Sequence, residues 1–158
     1  MDYADNNMNS LVSKARLASS EGGRIDPSQL APLSLAYIGD TVYDLFVRTM
    51  LLDTTTLTVH GLHERAAKLV CAKAQSAAFR VIEPLLSEEE LAVFRRGRNS
   101  HIGTVPHSAS IIDYRIATGL EAMFGWLYLR GDDGRIRELM AKILPQSCET
   151  TETNTTQG

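Results

Sequence analysis

The stretch "SLAYIGDTVYDLF", residues 34–46, decides how this chain is read. Its aliphatic and aromatic residues fall on nearly every side of a helix drawn through it, which predicts a helix buried on most faces. Yet Asp40 and Asp44 stand inside it, one turn apart. A carboxylate in such a setting costs several kcal/mol unless a cation, a hydrogen-bond donor or a metal compensates it. A second apolar stretch, "GLEAMFGWLYL" (119–129), has the same anomaly at Glu121. Each acid has a glycine close by, Gly39 beside Asp40 and Gly125 one turn after Glu121. A glycine inside a helix costs about 1 kcal/mol relative to alanine, so both glycines predict close backbone packing. If the two helices cross there, the acids converge. Converging carboxylates with few cations around them suit a hard divalent ion such as Mg2+, which supplies an activated water and stabilises a phosphoryl transition state. Spacing alone is equally compatible with Asp40 and Glu121 as rim residues hydrogen-bonded to serines or backbone.

Working outward, the pattern is helical throughout. "DPSQL" offers Asp26 as a cap, Pro27 at the first helical position and Gln29 to complete a capping box, and predicts a short helix. Pro32 opens the helix over 33–52, and Thr58 caps one over 59–82 whose apolar residues, Leu62, Ala66, Leu69, Val70, Ala77 and Val81, form a broad stripe. Ser87 and Glu90 make a second capping box for a helix ending near Gly97. "NSHIGTVPHSAS" reads as a loop, helix returns over 109–130 and closes at Gly131, and a last helix covers 132–144 before Pro145. No alternating stretch competes as a strand. The fold class is therefore all-α, a helical bundle over 26–145, with a loosely ordered lead-in over 1–25 and a disordered polar tail over 146–158.

A length of 158 residues fits one core, and a net charge of −3 excludes a uniformly basic surface, so any nucleic-acid contact must use a local patch. The polar, acidic start has no apolar core for a signal peptide, and no run approaches a membrane span, which predicts a cytoplasmic protein. Cys71 and Cys148 read as free thiols, and no Cys/His spacing of zinc type is present.

"LAYIGDTVYDLFVR" (35–48) and "YRIATGLEAMFGWLYL" (114–129) together resemble the two signature helices of the ribonuclease III catalytic domain, in the form carried by the Mini-ribonuclease III family. "LHERAAKLVCAKAQ" (62–75) and "RRGRNS" (95–100) resemble that family's middle segments in the same order, so the likeness runs from about Pro27 to Leu144. It implies an all-α endonuclease, a homodimer, and Mg2+-dependent hydrolysis of double-stranded RNA, with a role in maturing the ends of the 23S ribosomal RNA precursor. Asp40 matches the signature aspartate of the first motif and Glu121 the glutamate of the second. Ribonuclease III proper has further acids where this chain has Ala36 and Thr118, which suits the Mini form and leaves two acidic ligands. Asp44 and Thr118 are candidates to hold a water of the metal, although Asp44 also has an ordinary ion-pair spacing to Arg48. Only 13 residues follow Pro145, too few for a separate duplex-binding domain, so a large-subunit ribosomal protein is an expected partner in presenting the RNA.

Arg95, Arg96 and Arg98, followed by Asn99, form the densest basic cluster, more than a helix C-terminus needs, and are candidates to contact RNA phosphates. Lys68, Lys73 and Gln75 are weaker candidates, Lys68 and Gln75 sharing one face of the expected 59–82 helix. The four histidines read as surface or loop residues, and Trp126 and Tyr128 as core or dimer interface. The alternative to catalysis is a non-catalytic RNA-binding or ribosome-assembly factor on the same fold.

Overall fold

The computed structural model describes residues 25–101, 103–107 and 110–144. The expected tail over 146–158, and all of the lead-in except Ile25, lie outside the described residues. Among the described residues six α-helices follow in order: α1 (Pro32–Thr54), α2 (Val59–Val70), α3 (Ala72–Ile82), α4 (Glu88–Arg98), α5 (Ile111–Arg130) and α6 (Asp133–Ile143). Among the described residues there is no strand, as the sequence predicts.

The boundaries follow from local chemistry. Pro32 occupies the first turn of α1, where its missing N–H would find no intrahelical acceptor anyway. The Thr58 hydroxyl accepts from the Gly61 amide to start α2. The predicted capping box of α4 is complete: the Ser87 hydroxyl accepts from the Glu90 amide at 3.2 Å, and the Glu90 carboxylate accepts from the Ser87 amide at 2.8 Å. Glu90 is also gripped by Arg135 of α6, at 2.7 and 2.9 Å. Burial pushes the Glu90 carboxyl up, but Arg135 and Ser87 outweigh it and hold the group below its ordinary range. Gly131 ends α5 at φ 86°, with its amide and that of Asp132 returning to the last carbonyls of the helix.

Two expectations are corrected. The helix predicted over 59–82 is two helices, because Cys71 takes an extended backbone (φ −65°, ψ 156°). The break lets α2 lie on α1 while α3 turns to pack on α5; no glycine or proline marks it, and tertiary packing overrides the local helical pattern. The short helix after Asp26 is a single 3₁₀ turn, Pro27–Gln29.

Helix α5 is the axis of the bundle. Its residues Ala117–Gly125, apart from Glu121, are all buried, and α1, α3, α4 and α6 pack around it. The reading of α1 as buried on most faces does not hold among the described residues. Leu35, Val42, Tyr43, Val47 and Leu51 face the core, but Tyr37 is 83% and Leu52 70% exposed, and Leu33 and Leu45 are exposed beside them. One helix can cover α5 with one side only, and the other side of α1, apolar as it is, has no partner among the described residues.

Two glycine crossings set the distances between helices. A Cβ on Gly39 would strike the backbone carbonyl of Glu121, and one on Gly125 would strike that of Leu35. On another side of α5, Gly97 of α4 meets Gly119, where an added Cβ would lie 2.9 Å from the Gly119 Cα. Because backbone atoms cannot step aside as a flexible side chain can, Gly39→Ala or Gly125→Ala should cost about 3 kcal/mol or more in chemical denaturation. Gly134→Ala, which meets nothing within 4 Å, should instead be neutral or stabilising by about 0.5–1 kcal/mol.

Candidate active site

The α1–α5 crossing places Asp40 of one helix beside Glu121 of the other, as their neighbouring glycines predict. Both line a cavity of about 510 Å³, together with Ala36, Tyr37, Tyr114 and Thr118. Gly103 and Thr104, from the segment between α4 and α5, close one side. Asp40 is exposed at the mouth and Glu121 is largely withdrawn from solvent. Among the described residues neither acid makes a salt bridge.

The electrostatic consequence is plain. Burial, then the charge of Asp40 and a shared proton with it, raise the Glu121 carboxyl from 4.5 to about 7. The buried Tyr43 hydroxyl is pushed up to about 12, by burial first and by the Glu121 charge second. One group works against the rise at Glu121, the side-chain amide of Gln75. Gln75, on α3, is 1% exposed, and neither its Nε2 nor its Oε1 completes a hydrogen bond of ordinary geometry among the described residues. The expectation that Gln75 shares a solvent-facing RNA surface with Lys68 is therefore corrected. The break at Cys71 turns α3 so that Gln75 points into the bundle towards Glu121, while Lys68 and Lys73 stay exposed.

Thr118 is buried at 7% exposure in the cavity wall, and its hydroxyl donates to the Tyr114 carbonyl at 2.9 Å. Its proton is committed, so its oxygen can only accept from a group in the cavity. Asp44 is not brought to the cavity wall. Its Oδ2 accepts from the Arg48 Nε at 2.7 Å, the ion-pair alternative, while its Oδ1 is buried without a partner among the described residues.

The basic cluster is split. Arg95 is exposed, and Arg96 reaches back to the Leu30 carbonyl at 3.4 Å. Arg98 lies 5.7 Å from the Phe94 ring centre and donates to the Asn99 Oδ1 at 3.2 Å, both residues lining a different depression. The histidines within the described residues are exposed, and none lines the cavity. Trp126 packs against the core under Arg130, 4.2 Å from the ring centre. Tyr43, Tyr114 and Thr104 were not singled out from the sequence; Tyr114, one turn before Thr118, could have been found from helical spacing alone.

Two close carboxylates, neither in a salt bridge among the described residues, with the Gln75 amide directed at Glu121, form a donor set that fits a hard divalent ion. No group of three or more His, Cys, Asp or Glu side chains with metal-binding geometry occurs among the described residues, so the ion would keep most of its waters.

Known proteins with this sequence pattern fall in one class of helical endonuclease. The ribonuclease III domain model matches residues 33–132. A Mini-ribonuclease 3 of Clostridium tetani is 46% identical over 120 residues, 75% of this chain and 80% of the relative. A Mini-ribonuclease 3 of Enterococcus faecalis is 35% identical over 129 residues, 80% of this chain and 98% of the relative. A crystal structure of a Fusobacterium nucleatum protein superposes with a TM-score of 0.66 at 30% identity, covering 71% of this chain and 89% of that one. This chain belongs to the ribonuclease III family, with its relatives in the Mini-ribonuclease III branch, and is an endoribonuclease of that type.

The raised Glu121 carboxyl makes the metal-free fold sensitive to pH. The folded state keeps this proton up to about pH 7, whereas the unfolded chain releases it near 4.5, so its stabilising effect is full below 4.5 and lost as pH rises through 7. With partial exposure allowed for, the loss is on the order of 2–3 kcal/mol. Glu90 and Asp113, held low, act at more acidic pH. Thermal unfolding in EDTA should show stability falling between about pH 4.5 and pH 7, and Asp40→Asn should flatten that fall.

Proposed function

We propose that this chain is a Mg2+-dependent endoribonuclease that cleaves double-stranded RNA as a homodimer and matures the ends of the 23S ribosomal RNA precursor. The observation that carries the reading is the pairing of Asp40 with Glu121 across the α1–α5 crossing, in a cavity open to solvent. Asp40 and Glu121 would hold the ion. When bound, it supplies an acidic water and stabilises the charge that develops on a phosphodiester.

The chain's own groups do the rest. Glu121 loses its proton near neutrality, so at physiological pH it is divided between its protonated and ionised forms, and a bound cation would favour the ionised one. Gln75 restrains the Glu121 carboxyl from behind, and Thr118 accepts from a water in the cavity. A water attacks phosphorus in line and the bond to the 3′ oxygen breaks, leaving a 5′-phosphate and a 3′-hydroxyl. Asp44 orients solvent at the mouth only if its bond to Arg48 is released. Arg95, Arg96, Arg98, Asn99, Lys68 and Lys73 are the proposed contacts to the RNA backbone.

The exposed apolar side of α1, with Leu33, Tyr37, Leu45 and Leu52, supports a second copy as the dimer partner. A two-fold dimer presents two cavities, one for each strand. The 23S precursor and a large-subunit ribosomal protein rest on the likeness to the Mini-ribonuclease III family. No helix among the described residues is long and apolar enough to cross a membrane, and a cytoplasmic site of action is part of the proposal.

A second reading is favoured by one observation: Ala36 and Thr118 line the cavity where the larger enzyme carries acids. On that reading the chain binds RNA without cutting it. Cleavage of a long perfect duplex with Mg2+ separates the two. Duplex-specific, EDTA-sensitive cutting is expected, with Asp40→Asn and Glu121→Gln each folded and slower by at least about 100-fold. RNA binding without cutting, unaffected by Asp40→Asn, would favour the assembly factor.

A further inference from the structure

The second depression, about 380 Å³, lies where the C-terminal ends of α3 and α4 meet the first turns of α5. Each helix contributes one arginine to its lining: Arg80, Arg98 and Arg115. None of the three guanidiniums makes a salt bridge among the described residues. Arg80 and Arg98 stand in last helical turns, where the macrodipole favours a cation, but Arg115 stands near the opposite, unfavourable end of α5. Helix ends therefore do not account for the set.

Acids do not neutralise it either. Glu83 is the only carboxylate in the lining. At its border Asp113 interacts with Arg80 and, more weakly, with Lys73, while its carboxylate also accepts from the Ser110 hydroxyl, so Glu83 and Asp113 together offset only part of the charge of three arginines. The floor is rigid: the Phe79 and Phe94 rings stack at 3.8 Å and 6°, and Arg98 is laid along Phe94. Three arginines lining one groove over a stacked aromatic floor, with Asn99 in the same lining, suit a phosphodiester, whose oxygens guanidinium binds through paired hydrogen bonds.

Position chooses the occupant. Tyr114 lines the Asp40–Glu121 cavity and Arg115, the next residue, lines this groove. A nucleic-acid strand passing over the first turns of α5 would meet both. Resting on the function proposed above, we propose that the Arg80–Arg98–Arg115 groove is a second phosphate site, which grips the backbone of the same RNA away from the bond that is cut.

The test is duplex RNA binding by the full chain in EDTA, followed by fluorescence anisotropy against KCl concentration, for wild type, Arg80→Gln, Arg115→Gln and their double variant. Both side chains are exposed, so melting temperatures should not change. The double variant should bind about tenfold more weakly, with the slope of log K against log salt reduced by about 2. In Mg2+ its KM should rise while kcat at saturating RNA stays. Arg137→Gln, on α6 beside a different depression, should match wild type. Unchanged affinity and slope in the double variant overturn the proposal. So does loss of binding to an acidic peptide, such as an oligoglutamate, with RNA binding intact, which would make the groove a protein site. If wild type binds duplex with a groove-dependent slope but does not cut, the groove stands and the nuclease reading fails. If it neither binds nor cuts, both fail.

Discussion

Two backbones in contact at Gly39 and Gly125 set the geometry on which the rest of the molecule depends. Without side chains between them, α1 and α5 approach closely enough that acids one residue from the first glycine and one turn before the second share a cavity. The cost falls on electrostatics. Glu121 is withdrawn from water beside another carboxylate, and its raised pKa records that nothing among the described residues neutralises the pair. A fold selected for stability alone would carry an apolar residue at one of these positions; a shared proton eases the two acids there, and in the proposed reading a divalent cation replaces it.

The second glycine crossing, Gly97 with Gly119, draws α4 onto another side of α5. It brings the end of α4, with Arg98 and Asn99, against the start of α5. Helix α5 thus separates a negative cavity from a positive groove, one suited to a metal ion and the other to phosphate. Such a division lets a modestly acidic protein approach a polyanion without a basic surface overall.

How much of this was legible depends on whether the information was local. The helix ends with a local signal, those after Thr58 and Ser87, at Pro32 in the first turn of α1, and at Gly131, could be read because each is fixed by residues a few positions apart. Asp40 and Glu121 could be read as a pair because their glycines announce close packing. The break at Cys71 could not, since Cys71 has no special backbone preference and yields to packing on α1 and α5; with it went the true direction of Gln75. Nor could the groove: Arg80, Arg98 and Arg115 are spread over 36 residues of sequence and converge only in three dimensions. The exposed side of α1 was misjudged for another reason. Hydrophobic pattern reports that a face avoids water, not whether the same chain or another copy covers it.

The central claim is that the crossing of α1 and α5 builds a metal site from Asp40 and Glu121, and calorimetric titration of Mg2+ into the full chain near neutral pH tests it most directly. Run in two buffers of different ionisation heat, the titration also counts protons released. The account predicts saturable binding with net proton release as Glu121 is forced to ionise, and loss of both signals in a folded Asp40→Asn variant. Absence of binding, or binding that survives Asp40→Asn and Glu121→Gln with the same proton count, would contradict it.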